Sequence, residues 1–199
     1  MTTENIQALG NLLSTYNSDL TYIRDFQRYK NGKLNEVEYL KKSKGTFKSF
    51  IDEFRVARNV DKTKTKILLS LTTEWIKLKN SDNVDDFAEQ LKVNGITHGK
   101  VMTSLASKIL FLNNPWIILP LDNLAKQAVG LKNNSYANYL PLSNKFIADN
   151  KNEIHKLLSS VDNHLTIIEK EFEQEIENIR VVRQNRFIDK LLWTRGRTK

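Results

Sequence analysis

The chain has 199 residues, 40% of them apolar and 27% charged, with seven glycines, three prolines and no cysteine. That length supports one ordinary domain with its own core, and the composition excludes a largely disordered chain, a disulfide framework, a thiolate nucleophile and a thiolate metal site. The formal net charge is +8, and residues 180–199 supply +6 of it through seven Lys and Arg residues against the single acid Asp189.

In chain order, Ile6, Leu9, Leu12, Leu13, Tyr16, Leu20, Ile23 and Phe26 recur at steps of three and four, which predicts an amphipathic helix ended by Asn31 and Gly32. A second helical pattern runs from Val37 to Val56 with a break near Ser43 to Gly45, and a third covers Lys62 to Lys79. "NSDN" reads as a loop in which Asp82 or Asn83 caps a short helix through Phe87 and Leu91. "VNGITHG" reads as a turn between two helices, and Lys100 to Leu112 is apolar on most sides, the pattern of a helix buried on several faces. Pro115 stops that helix, "IILP" is extended, and Asp122 opens the next helix, which Gly130 ends. Residues 135–149, 151–159 and 161–194 read as further helices.

No segment alternates with period two, so the fold expected is all-α: one compact multi-helix domain over residues 1–199. Within it, residues 85–130 hold a hairpin and the candidate site, and residues 161–199 form a long C-terminal helical segment with a basic end. There is no run of eighteen apolar residues and no basic-then-apolar leader, so a cytoplasmic protein with no membrane partner is expected. His98, His155 and His164 do not fall at ligand spacing, and no metal or other cofactor is expected.

Asp122 has two readings. As an N-cap its carboxylate accepts backbone N–H groups and offsets the helix dipole, worth about 1 kcal/mol. As a site residue it is an acid delivered to a helix mouth where a cleft can form. Lys108 is either a cation beside Asp122 or a lysine snorkelling at a helix edge. Ser104 and Ser107 frame Ala106 and point to close helix packing, and Trp116 fills the core or stacks on a base. His98 is a phosphate donor or an exposed loop residue. Arg180, Arg183 and Arg186 step by three with Lys190 one turn on, a row that tracks phosphates or forms a solvated face paired with upstream glutamates. Phe187, Leu191, Leu192 and Trp193 anchor that helix to the body, and Asp189 pairs with Arg186, Lys190 or a core arginine. Arg55, Arg58, Lys62, Lys64 and Lys66 form a second basic cluster.

The stretch "SLASKILFLNNPWIILPLDNLAKQAV", with "NGITHGK" before it, resembles the core of the helix-hairpin-helix DNA glycosylases. It is also similar to a poorly characterised bacterial branch with an S-x-A-S-K pattern, a proline about seven residues on, P-x-D before a helix, and an ending like "RFIDKLLWTRGR". The resemblance implies a helix-hairpin-helix fold and a role in DNA repair or phage defence. It further implies DNA backbone contacts at Gly95, His98, Gly99 and Lys100, and an acid, Asp122, that stabilises positive charge on the deoxyribose. The position of the family's Schiff-base lysine falls on Ser104, so the enzyme implied is a monofunctional base-excision glycosylase, a hydrolase, with Lys108 assisting, or a relative that has lost the chemistry. The rival expectation is a non-enzymatic regulatory protein whose acidic-then-basic terminal helix meets a protein partner.

Overall fold

The computed structural model describes residues 2–54 and 60–198, and every regular element among them is helical. Helix α1 (Thr3–Lys30) follows the predicted periodicity: Thr2 caps it by accepting from the Asn5 N–H at 3.3 Å, and Gly32 leaves it at φ +72°. Its buried stripe, Leu12, Tyr16, Leu20, Ile23 and Phe26, has no exposed surface, each side chain contributing roughly 1.5–3 kcal/mol of burial. The second pattern resolves into two short helices, α2 (Glu36–Tyr39) and α3 (Phe47–Glu53), separated where the break was expected. Val56, Arg55 and Arg58 lie outside the described residues, as does the Lys62 side chain. Helix α4 (Thr65–Trp75) ends four residues before Lys79.

Helix α5 (Val84–Val93) is capped by Asn83, whose side chain accepts from Asp86 N–H at 3.1 Å. Asp85 does not serve its own helix alone. Its carboxylate accepts the N–H groups of Tyr136 and Ala137 at 2.8 and 2.9 Å, and so caps a helix fifty residues away. Helix α6 (Thr103–Asn113) starts three residues later than predicted and is buried on nearly every side, through Leu105, Ala106, Ile109, Leu110, Phe111 and Leu112. Beyond it come α7 (Asn123–Ala128), α8 (Tyr136–Asp149) and α9 (Lys151–Ser159).

The single helix expected over 161–194 is corrected to two, α10 (Asp162–Glu169) and α11 (Ile179–Arg197). A continuous helix of that length would run about 50 Å, whereas a chain of this size has a radius of gyration of about 16 Å. The reversal between them buries Phe172 and Ile176, turns on Asn178 at φ +51°, and returns α11 along α1 and α7. Asparagine tolerates that left-handed conformation better than most residues. Gly196 permits a close approach of α11 to α7: a Cβ there would collide with the backbone of Leu124. No helix among the described residues is long and apolar enough to cross a membrane.

Candidate functional site

The extended piece between α6 and α7 has no strand to pair with, so side chains satisfy its backbone. Leu119 N–H donates to the Tyr136 hydroxyl at 2.9 Å, Leu121 N–H donates to the Ser107 hydroxyl at 2.9 Å, and the Tyr139 hydroxyl donates to the Pro120 carbonyl at 3.2 Å. All three tyrosine and serine side chains are buried. They fix the direction in which the chain enters α7, and Asp122 stands at that entry with Oδ1 accepting from Ala125 N–H at 2.8 Å. The cap expected from the sequence is therefore present.

The same carboxylate lines a cavity of about 250 Å³ together with Lys108. Lys108 donates to the Phe54 carbonyl at 3.3 Å, on the wall formed by Phe54 and Pro120. The opposite wall is α11, which contributes Arg186, Asp189, Lys190 and Trp193. Behind them stands Asp19 of α1, 4% exposed, paired with Arg186 at 2.8 Å and with Lys190 at 3.7 Å. Arg186 also pairs with Asp189 at 3.1 Å, one of the partners foreseen for that acid, and its guanidinium lies 5.0 Å from the centre of the Phe111 ring. Arg197 stacks over Trp193 at 4.5 Å.

Burial governs the electrostatics of this wall. It pushes the Asp189 carboxyl up against the pull of Arg186 and Lys190, with Asp122 and Asp19 adding to the rise. It pushes the Lys190 ammonium down, assisted by Arg186 and opposed by Asp19 and Asp189. For Arg186 burial works against the charge, but Asp19 and Asp189 outweigh it and hold the guanidinium above its ordinary value. The cavity thus gathers an acid held up, an amine held down and a fixed cation beside Asp122.

The hairpin lies at the other end of α6. Gly95, His98 and Gly99 take left-handed conformations at φ +66°, +52° and +74°. Thr97 donates to the Lys100 carbonyl, and Lys64 donates to the Gly95 carbonyl at 2.9 Å, which ties the turn to the start of α4. His98, Gly99 and Lys100 are exposed. At 1.5 Å per residue, Lys108 stands about 7.5 Å along α6 from its first residue.

The terminal cations do not form one outward row. Arg180 is exposed, but Arg183 and Arg186 are 5% and 1% exposed, and Lys190 turns to the cavity. The expectation of a phosphate-tracking row is corrected accordingly: a step of three leaves a helix about 60° short of a full turn, so the three arginines fan over about 120° and only Arg180 stays on the outward side. Arg183 instead pairs with Glu169 at 2.5 Å and with Asp162. Lys66 of the second basic cluster pairs with Glu36 at 2.8 Å. Trp116 packs partly buried against the core.

Asp19, Asp189 and Trp193 were not singled out as site residues by sequence reasoning. The only signal for Asp19 was an acid on the predicted inner stripe of α1, where a buried carboxylate demands a cation. No group of three or more His, Asp or Glu side chains among the described residues is placed to hold a metal ion. No family model, no curated protein and no solved structure matches the chain.

Proposed function

We propose that the protein binds DNA and draws an extrahelical nucleotide toward the Asp122 cavity, acting as a monofunctional base-excision glycosylase or as a relative that retains the recognition without the reaction. The observation that carries this reading is the meeting of Asp122 and Lys108 on one cavity, a short way along α6 from an exposed, glycine-turned hairpin. Flipping places the sugar and base outside the stack, where an enclosed acid can reach them. In the reaction proposed, the bond between the sugar and the base nitrogen breaks with its electron pair leaving on the base. The Asp122 carboxylate stabilises the positive charge left on the sugar, and water adds to that carbon while its proton passes to the base. Lys100 and His98 hold the backbone at the hairpin.

The test is binding to duplex DNA, undamaged and carrying a stable abasic-site mimic, across a salt series. Preference for the mimic and a steep loss of affinity with salt are expected, with the preference abolished in Asp122→Asn. Asparagine caps helices about as well as aspartate, so that variant keeps the fold. Absence of binding at low salt would overturn the reading. It would favour instead a regulatory protein that meets a protein partner, in which the 2.8 Å bond to Ala125 is all that Asp122 does.

A further inference from the structure

A second cavity, of about 410 Å³, lies between α8, α9, α11 and the first residue of α10 and shares no residue with the first. Its size falls within the range of about 300–1,000 Å³ typical of small-molecule sites. The floor is apolar: Ile154 is buried, and Ile147 and Leu158 are partly so. The rim is cationic. Lys151 and His155 stand one turn apart on α9, and Arg180 faces them from α11. None of the three side chains makes a hydrogen bond or ion pair among the described residues, and all three residues are exposed.

Arg183 is shared between two acids, which leaves one net negative charge in this wall against the two positive charges of Lys151 and Arg180. Arg183 is held by Glu169 at 2.5 Å and by Asp162, and Asp162 is the one acid lining the cavity among the described residues. The balance is one net positive charge, carried at the rim by Lys151 and Arg180 with an N–H from the His155 ring, above a floor of three aliphatic side chains. An arginine fork suits a planar carboxylate, which accepts two parallel hydrogen bonds. The mouth is bounded by α8, α9, α11 and the start of α10, and its volume admits one small molecule rather than an extended chain.

We propose that this cavity binds a small amphipathic monocarboxylate, its head held by Lys151, His155 and Arg180 and its apolar body lying over Ile147, Ile154 and Leu158. The site stands whether or not the Asp122 cavity acts on DNA. It arises because the chain reverses between α10 and α11, which brings Arg180 back opposite α9.

The experiment titrates the full chain with octanoate, phenylacetate and octanamide by calorimetry, and follows the Ile147, Ile154 and Leu158 methyl signals by NMR. At least one carboxylate is expected to bind with shifts centred on those methyls, and octanamide to bind at least about tenfold more weakly, a difference of about 1.4 kcal/mol. Octanoate alone identifies an acyl chain as the body, phenylacetate alone an aromatic one, and both support the site. The exposed-residue variant Lys151→Ala/Arg180→Ala, checked for helicity, is expected to lose at least about tenfold in carboxylate affinity. Equal binding of octanoate and octanamide would overturn the proposal. So would no binding up to about 1 mM, shifts centred elsewhere, or a double variant that binds like the wild type.

Discussion

The backbone N–H of Leu121 donates to the Ser107 hydroxyl at 2.9 Å, and that hydroxyl in turn donates to the Ser104 carbonyl at 3.1 Å. Through this bond a residue on α6 sets the position of the residue next to Asp122. Ser107 has no exposed surface, so Ser107→Ala leaves the Leu121 N–H without a partner and lowers the unfolding free energy by about 1–3 kcal/mol. Urea denaturation measures the loss, and the same variant is expected to weaken preference for the abasic mimic. An unchanged urea midpoint would mean that Tyr136 and Tyr139 alone hold the extended piece.

Gly196 and Gly10 are both helical glycines, and they are expected to respond oppositely to alanine. At Gly196 a Cβ meets the Leu124 backbone, so Gly196→Ala forces α11 away from α7 and destabilises the fold by about 1–3 kcal/mol. At Gly10, exposed on α1, nothing lies within 4 Å, and Gly10→Ala stabilises by roughly 0.5–1 kcal/mol. Thermal melts of the two variants in one buffer give the signs directly.

Glu169 is 1% exposed and accepts from the Tyr16 hydroxyl at 2.6 Å and from Arg183 Nε at 2.7 Å. Glu169→Ala removes the buried partner of Arg183 and costs about 3 kcal/mol, the low end for a broken buried pair because Asp162 and Thr166 still reach the guanidinium. The double change Glu169→Met/Arg183→Met is expected to recover most of that loss, since both buried charges are gone. A double-mutant cycle from urea midpoints tests it, and strictly additive effects would remove the coupling.

Five buried tyrosines fix the alkaline limit of stability. Burial raises the hydroxyl pKa of Tyr16, Tyr22, Tyr39, Tyr136 and Tyr139 above the ordinary value of 10.0, with nearby acids adding to it. In the unfolded chain these groups ionise near their ordinary value, so the unfolded state binds fewer protons above it and stability falls as pH rises. Stability is therefore flat below pH ~9 on account of these groups and drops steeply above pH ~10. Urea midpoints across that window, followed together with tyrosinate absorbance, are expected to show these five groups ionising only as the chain unfolds. Early titration of these five tyrosines in the folded state would contradict it.

Local physics was legible in the sequence wherever it acts over a few residues. The apolar stripe of α1, the buried character of α6, the stop at Pro115, the Asp122 cap and the left-handed Gly130 at φ +73° follow from periodicity, capping and backbone sterics within a turn or two. Tertiary structure decided the rest. A helical pattern through 161–194 contains nothing that says the chain must reverse. The reversal follows from burying Phe172, Ile176 and one face of α11 against α1, a gain realised only once the body exists. That reversal turned Arg183 and Arg186 inward onto Glu169 and Asp19, and it built both cavities from residues far apart in the chain. Periodicity determines which face of a helix is apolar, whereas the partner of a charge at its edge depends on which distant helix covers that edge.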